Sequence, residues 1–244
     1  MSIAQLVIFA LTNLLLLAAL VGLVRRRRVH LAYAFPAYLL AIIVLSSLVA
    51  LWPQRLHTWS FYWVKESVYS VLKVAVALEL VVRVFHSFPA ARRVARVIFL
   101  VVLAVTVVAA WSATPPPPEA ERSQADWAHL VLSLHPRITN GTAWLFGALF
   151  ALILYYRLPL HPLHKAIAFG FMAYLLLLTF GLDQVRRTDF AARPLVSYAS
   201  SLGYAAAAAY WARAAWRRDP PPPVAREVVD RLQPWRREGA PPDL

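Results

Sequence analysis

The chain alternates long apolar stretches with short segments that are polar, basic or proline-containing. An α-helix rises about 1.5 Å per residue, so about twenty apolar residues cross a hydrocarbon core of about 30 Å. We therefore expect seven transmembrane helices, spans 1 to 7, at residues 3–24, 30–52, 62–84, 94–111, 139–156, 163–182 and 195–216. The pattern predicts an all-α fold, an integral membrane bundle of seven helices.

The composition favours the same class of protein. Hydrophobic residues make up 60% of the chain and charged residues 15%, whereas soluble domains carry about 25% charged residues. The chain has no cysteine, which excludes disulfides, thiolate metal ligands and catalytic cysteine chemistry. The basic run Arg25 to Arg28 follows the first apolar stretch instead of preceding it, so we expect a retained helix there rather than a signal peptide.

The positive charges predict the orientation of the bundle. With the amino terminus outside, about 17 lysines and arginines fall on the inner side and about 6 on the outer side, which satisfies the positive-inside rule. We expect a multi-pass protein of a bacterial inner membrane, with its carboxyl terminus in the cytoplasm. We expect the net charge of +13 to orient the bundle in the membrane and to contact anionic lipids at the cytoplasmic face. No nucleic-acid partner is expected.

Two segments lie outside the predicted spans. In the long connection 112–138, Trp127, Leu130, Val131 and Leu134 have helical spacing, which predicts a short amphipathic helix on the membrane surface. Residues 1–218 are expected to form the transmembrane domain, and residues 219–244 a proline-rich cytoplasmic tail. This tail is too short for a kinase or cyclase domain, so a signal would have to pass to a separate membrane or cytoplasmic protein.

Span 3 is the unusual helix, because it carries five charged residues between positions 60 and 85. Residue counting places Lys73 near the membrane midplane, with Glu66 about 10 Å away along the axis and Glu79 about 9 Å away on the other side. At about 100° per residue, Glu66, Tyr69 and Lys73 share one face. An ionisable group in a membrane segment costs about 2.5 to 3.5 kcal/mol, so we expect this face to point into the protein.

The polar face of span 3 has two interpretations. In the first, spans 1, 3, 6 and 7 adjoin and enclose a cavity that opens to the outside, has Lys73 as its floor and binds a small ligand or a lipid headgroup. Its polar residues would be Glu66, Tyr69, Lys73, Asn13 and Tyr204. In the second, Glu66 and Lys73 form a buried ion pair that fixes the register of the helices.

No chemistry of an enzyme is recognisable in the sequence. Glu79 and Arg83 are four residues apart on a helix and are expected to form a structural charge pair. The histidines lie at span ends or in loops, where haem ligation at membrane depth is not expected. Span 7 has no lysine for a retinal Schiff base. We expect no catalytic residue, no metal and no cofactor.

The layout of seven helices with an outer amino terminus and a basic inner end resembles the sensory input modules of bacterial receptors, such as those joined to histidine kinases. Span 3 is also similar to a group of uncharacterised bacterial membrane proteins common in acidobacteria, through Tyr62-Trp63, Glu66, Glu79-Leu80, Phe85 and Pro89. These resemblances imply a non-enzymatic sensor or an accessory subunit of a membrane complex.

The alternative function is a small-solute or proton-coupled transporter. In that case Glu66, Lys73 and Glu79 would form a relay along span 3. An internal repeat and helices broken by glycine or proline at matching positions are the usual signs of alternating access. The sequence shows neither of these signs, so we favour the sensor.

Overall fold

The computed structural model describes residues 3–56, 58–85, 89–112, 124–155, 161–188 and 193–218. Every regular element in these ranges is a helix, which confirms the predicted all-α class. A 3₁₀ turn lies at Val29–Leu31. The α-helices are α1 (Ile3–Arg25), α2 (Ala34–Leu51), α3 (Pro53–Leu56), α4 (Trp59–Val84), α5 (Pro89–Ser112), α6 (Gln124–Tyr155), α7 (Pro162–Arg187) and α8 (Arg193–Trp216).

Four of the helices in the described ranges are long and apolar enough to cross a membrane: α1, α2, the Arg137–Tyr155 part of α6 and the Pro162–Val185 part of α7. They support a multi-pass membrane protein. The helices α4, α5 and α8 have 26, 24 and 24 residues, which is long enough to cross, but α4 carries the five charged residues of span 3. The seven-span count and the orientation stay predictions.

The largest difference from the predicted elements concerns α6. This helix has 32 residues, and its backbone includes residues 127–134, which we expected to form a separate surface helix. Pro136 removes one backbone donor yet does not end the helix. The side chains of residues 127–134 and the whole of the tail 219–244 lie outside the described part of the chain.

The long helices form a closed ring. In this ring α1 packs against α8 and α2, α8 against α7, α7 against α6, α6 against α5, α5 against α4, and α4 against α2. Beyond its ring neighbours, α4 also contacts α6 and α7. The helix with the most unusual charges therefore lies against the interior of the bundle, where partners for those charges are available.

An aromatic core fills the space where α2, α6, α7 and α8 meet. Its fully buried members are Phe35, Tyr38, Phe146, Phe171 and Trp211. The rings of Tyr38 and Phe171 have centroids 4.9 Å apart, and those of Phe35 and Trp211 lie 5.3 Å apart. The indole Nε1–H of Trp211 donates to the carbonyl of Ala166 at 3.1 Å, so the one polar atom of this buried side chain is satisfied.

The outer surface of the ring is apolar. On α5, the exposed side chains include Leu100, Val101, Val105 and Val108, while Phe99 points inward and is 4% exposed. Soluble monomers rarely expose contiguous apolar patches of more than a few hundred Å². A bilayer would cover such a surface, which agrees with the multi-pass membrane class.

The chain leaves α1 through a Schellman motif. Arg27 has a φ of 54°, the left-handed conformation that this motif requires at the residue after the helix. The N–H of Arg28 donates to the carbonyl of Leu23 at 2.8 Å, and the N–H of Arg27 donates to that of Val24 at 3.0 Å. The turn directs Arg28 back toward the bundle.

Arg28 holds the end of α8. Its side chain is buried, and its Nη1 lies 3.2 Å from the carbonyl oxygen of Ala214 and 3.3 Å from that of Ala215. Its Nη2 donates to the carbonyl of Arg217 at 2.6 Å. The last carbonyls of a helix lack partners within the helix and carry partial negative charge. Arg28 thus caps the carboxyl end of α8. From the sequence, the basic run Arg25 to Arg28 is expected only to orient the bundle, so this capping role is an additional one.

Candidate functional site

A cavity of about 420 Å³, lined by both polar and apolar side chains, lies between α1, α2, α4 and α8. Small-molecule sites in proteins have volumes of about 300 to 1,000 Å³, so this cavity is large enough for a small ligand. It lies near the ends of the bundle at which α1, α4 and α8 begin and α2 ends. It is lined by Gln5, Ile8, Phe9, Thr12, Asn13, Leu16, Ile42, Ser46, Lys65, Tyr69, Ser197, Tyr198, Ser201 and Tyr204.

The walls come partly from the helices that we expected. Spans 1, 3 and 7 correspond to α1, α4 and α8 and all contribute, but span 6 does not. Its place is taken by α2, which supplies Ile42 and Ser46, because α2 packs between α1 and α4 in the ring. Helix α7 lies behind the cavity wall, where the ring of its Tyr174 contacts the ring of the lining residue Tyr204 at a centroid distance of 4.8 Å.

The predicted cavity residues fall into two groups. Asn13, Tyr69 and Tyr204 line the cavity, whereas Glu66 and Lys73 do not belong to its wall. The charged residue among those that line the cavity is Lys65, which does not belong to the predicted set. Lys65 and Tyr69 are four residues apart and share a helical face, while Glu66 is rotated from Lys65 by about 100°. The spacing of Lys65 and Tyr69 is the sequence signal that points to this lysine.

Hydrogen bonds fix the polar side chains of α1 against α2. The amide Nδ2 of Asn13 donates to the carbonyl of Phe9 at 2.9 Å, and its Oδ1 accepts from the hydroxyl of Ser46 at 2.9 Å. The hydroxyl of Thr12 donates to the carbonyl of Ile8 at 2.7 Å. Ser46 and Asn13 thus form a bridge between two helices at the cavity wall, and the remaining lone pairs stay available to a ligand.

Aromatic rings surround the ammonium of Lys65. Its Nζ lies 5.5 Å from the ring centroid of Tyr62 and 6.0 Å from that of Tyr69, which is within the range of cation–π attraction. These rings stabilise the cation without neutralising its charge. Among the described residues that line the cavity, none has a carboxylate. Lys65 therefore supplies the charged group among these lining side chains.

Tyr204 connects the cavity to the aromatic core. Its hydroxyl lies 3.3 Å from the hydroxyl of Tyr38, so one of the two donates to the other. Its ring lies 6.0 Å from that of Trp211. The phenol groups pair with each other inside the bundle, as buried polar groups require. Tyr204 thus lines the cavity and also contacts residues that pack in the centre of the fold.

Glu66 and Lys73 lie next to the cavity wall on α4, and both are partly buried. The negative charge of Glu66 acts on Lys73, and it also acts on the side chains of Tyr69 and Tyr174. The interpretation of Glu66 and Lys73 as a buried ion pair stays a prediction.

Glu79 and Arg83 form an ion pair with an Nη2 to Oε1 distance of 2.7 Å. The carboxylate of Glu79 also accepts the backbone N–H groups of Tyr33 at 2.8 Å and Ala34 at 2.6 Å, and Arg83 donates to the carbonyl of His30. Negative charge is favourable at the start of a helix. The pair therefore joins α4 to the first turn of α2 and has a structural role.

The histidines nearest to each other also serve the fold. His161 accepts the backbone N–H of Leu163 through Nδ1 at 3.2 Å at the start of α7. The Nε2 of His164 lies 2.9 Å from the carbonyl oxygen of Leu31. In the described part of the chain, no three histidine or acidic residues are grouped in a way that could hold a metal ion.

Comparisons of this chain with protein-family models, with curated proteins and with solved structures gave no match. The resemblance to acidobacterial membrane proteins and to sensory input modules stays a prediction.

Proposed function

We propose that this chain is a non-enzymatic sensor, or a sensing subunit of a membrane complex, in a bacterial inner membrane. In this proposal the seven long helices all cross the bilayer, with the amino terminus outside. A small ligand binds in the cavity between α1, α2, α4 and α8 and alters their packing. The observation that carries the proposal is the cavity itself, which combines a ligand-sized volume with polar groups from four helices.

The path of α1 and α8 supports the sensing role. Both helices line the cavity with their first halves, and their far ends meet at Arg28, which binds the carbonyls of the last turn of α8. The tail 219–244 follows α8 directly in the sequence. A ligand that changes the packing of α1 against α8 thus has a continuous route to the end at which a cytoplasmic partner would bind.

The far ends of α1 and α8 also support contact with anionic lipids at the cytoplasmic face. Arg25, Arg26, Arg213 and Arg218 are exposed there, and the guanidinium of Arg25 lies 5.8 Å from the ring centroid of Trp216. Basic side chains near an anionic leaflet contribute about 1 kcal/mol each to its binding. A tryptophan at the same level is typical of the membrane interface.

The role of Glu79 favours the sensor over the transporter. A proton relay requires carboxylates that gain and lose a proton, but the Glu79 carboxylate accepts two backbone N–H groups of α2 and pairs with Arg83. Protonation of Glu79 would break this junction of α2 and α4. Glu79 could then not take part in the proton relay of a transporter, and only Glu66 and Lys73 would remain for it.

The proposal is tested by purifying the full chain from its native membrane in mild detergent and analysing the accompanying small molecules and proteins by mass spectrometry. The cavity is filled in the variant Ser201→Phe, because Ser201 lines it. The matched control Ser67→Phe places the same ring at an exposed position of α4 that does not line the cavity. We expect a small molecule to accompany the wild type and Ser67→Phe and to be lost from Ser201→Phe.

Two results would contradict the proposal. The first is a small molecule that stays bound to Ser201→Phe at the wild-type ratio, because the cavity would then not be its site. The second is uptake of a small solute by vesicles that contain only this chain, because this result would establish the transporter. A protein that co-purifies at a fixed ratio with both variants identifies the partner and supports the subunit form of the proposal.

A further inference from the structure

The charge of the cavity limits the class of ligand. Lys65 brings an ammonium to the wall, and its nearest aromatic neighbours, Tyr62 and Tyr69, are neutral. The described lining residues include no carboxylate that would offset this charge. A cationic ligand would be repelled, a neutral ligand would leave the ammonium uncompensated, and an anion would form a charge-assisted hydrogen bond with it.

The cavity wall also has an extensive apolar part. Beside the polar side chains, α1 contributes Ile8, Phe9 and Leu16, and α2 contributes Ile42. The ring of Tyr204 adds further apolar surface. A ligand that fills the cavity therefore needs an apolar part as well as a group that pairs with Lys65.

We propose, as a step that rests on the function proposed above, that the cavity binds a small organic monoanion: a carboxylate attached to an apolar body. The carboxylate pairs with the ammonium of Lys65 through a charge-assisted hydrogen bond. The apolar body extends toward Leu16, Ile42 and the ring of Tyr204. Such a ligand is either a free organic acid or a fatty acid from the bilayer, and the two sources share the same chemistry.

The probes are three compounds of nearly the same shape, benzoate, benzamide and benzylammonium, titrated calorimetrically into the full chain in lipid nanodiscs at neutral pH. We expect benzoate to bind at least tenfold more tightly than benzamide, and benzylammonium to bind more weakly than either. A tenfold ratio corresponds to about 1.4 kcal/mol. In Lys65→Gln the advantage of benzoate over benzamide should disappear, and in Lys65→Arg it should remain.

The control is Arg55→Gln, which removes an exposed cation of α3 at the same end of the bundle but outside the cavity. Its ratio of benzoate to benzamide affinity should equal that of the wild type. A chain-length series from hexanoate to dodecanoate separates the two sources. An optimum at the shorter acids supports a free organic acid, and an affinity that rises up to dodecanoate supports a fatty acid from the bilayer.

Three outcomes would overturn the inference. Equal affinity for benzoate and benzamide, with both lost in Ser201→Phe, refutes the anionic class but leaves the sensing cavity intact. The same holds if none of the three probes binds while a native molecule is still lost from Ser201→Phe. If benzoate binds to Ser201→Phe as it does to the wild type, the cavity is not the site, and the proposed function fails together with the inference.

Discussion

Arg28 offers a sharp test of how the two ends of α1 and α8 are joined. The substitution Arg28→Met keeps an unbranched apolar stem in the buried position and removes the guanidinium that binds the carbonyls of Ala214, Ala215 and Arg217. We expect a large loss of stability. We also expect the far end of α8 to detach before the rest of the bundle unfolds, because its last carbonyls lose their partners.

The magnitude follows from the geometry of the hydrogen bonds. A hydrogen bond to a charged group contributes about 1.5 to 3 kcal/mol. The bond to Arg217 is short at 2.6 Å, while the two contacts of Nη1 are long at 3.2 and 3.3 Å and share one nitrogen, so we count them as one. Water can reach a helix end, and two bonds at the lower value then give about 3 kcal/mol. For a chain of this size this corresponds to a fall in Tm of about 6 to 12 °C.

The assay is thermal unfolding in a mild detergent, followed by circular dichroism and tryptophan fluorescence. The matched control is Arg26→Met, which removes an exposed arginine from the same basic run and should change Tm by less than about 2 °C. Arg28→Lys should lie between the two, because one ammonium cannot bind carbonyls in the fork geometry of a guanidinium. If Arg28→Met and Arg26→Met have the same Tm, the cap contributes nothing and the reasoning is refuted.

Two further predictions concern packing and the start of α2. A Cβ at Gly170 would lie 2.2 Å from the Nε1 of Trp211, so Gly170→Ala should lower the stability by about 1 to 3 kcal/mol. In the control Gly147→Ala the added Cβ meets no atom within 4 Å, and Tm should not fall. Equal Tm values for the two variants would contradict the close packing at Gly170. Glu79→Gln should lower the stability by about 1.5 to 3 kcal/mol. The control Asp183→Asn breaks an exposed ion pair and should lower it by less than about 1 kcal/mol. A similarly small loss of stability in both variants would rule out Glu79 as a cap on α2.

Hydropathy predicted the helices well because length and apolar content are local properties of the sequence. The predicted bounds of spans 1, 2 and 7 lie within a few residues of α1, α2 and α8. The error at α6 has a different origin. A proline and charged residues before position 139 favour a break in the helix, but the backbone of residues 124–155 continues as one helix. This helix packs against α5 and α7, and such contacts cannot be read from a local sequence pattern.

The candidate site was harder to predict because it depends on which helices are neighbours. Residue counting singles out Asn13, Tyr69 and Tyr204 as polar residues of spans 1, 3 and 7, and all three line the cavity. It could not show that α2 rather than α7 closes the wall. Residue counting also favours charged residues near the membrane midplane, and therefore Lys73. The cavity lies nearer to the start of α4, where Lys65 lines it instead.

In the proposed sensor, the packing of α1 against α8 would couple the cavity near one end of the bundle to the other end. Small residues, Ala19 and Gly22 on α1 and Ala208 and Ala215 on α8, are buried, and such residues let helix backbones approach closely. A Cβ at Gly22 would lie 2.9 Å from the Nε1 of Trp216, and that nitrogen donates to the carbonyl of Ala18 at 2.9 Å. Closely packed helices respond to a local change by moving together rather than by deforming. A ligand that separates the first turns of α1 and α8 would therefore act on the Trp216 contact and on the Arg28 cap, and both belong to the last turns before the tail.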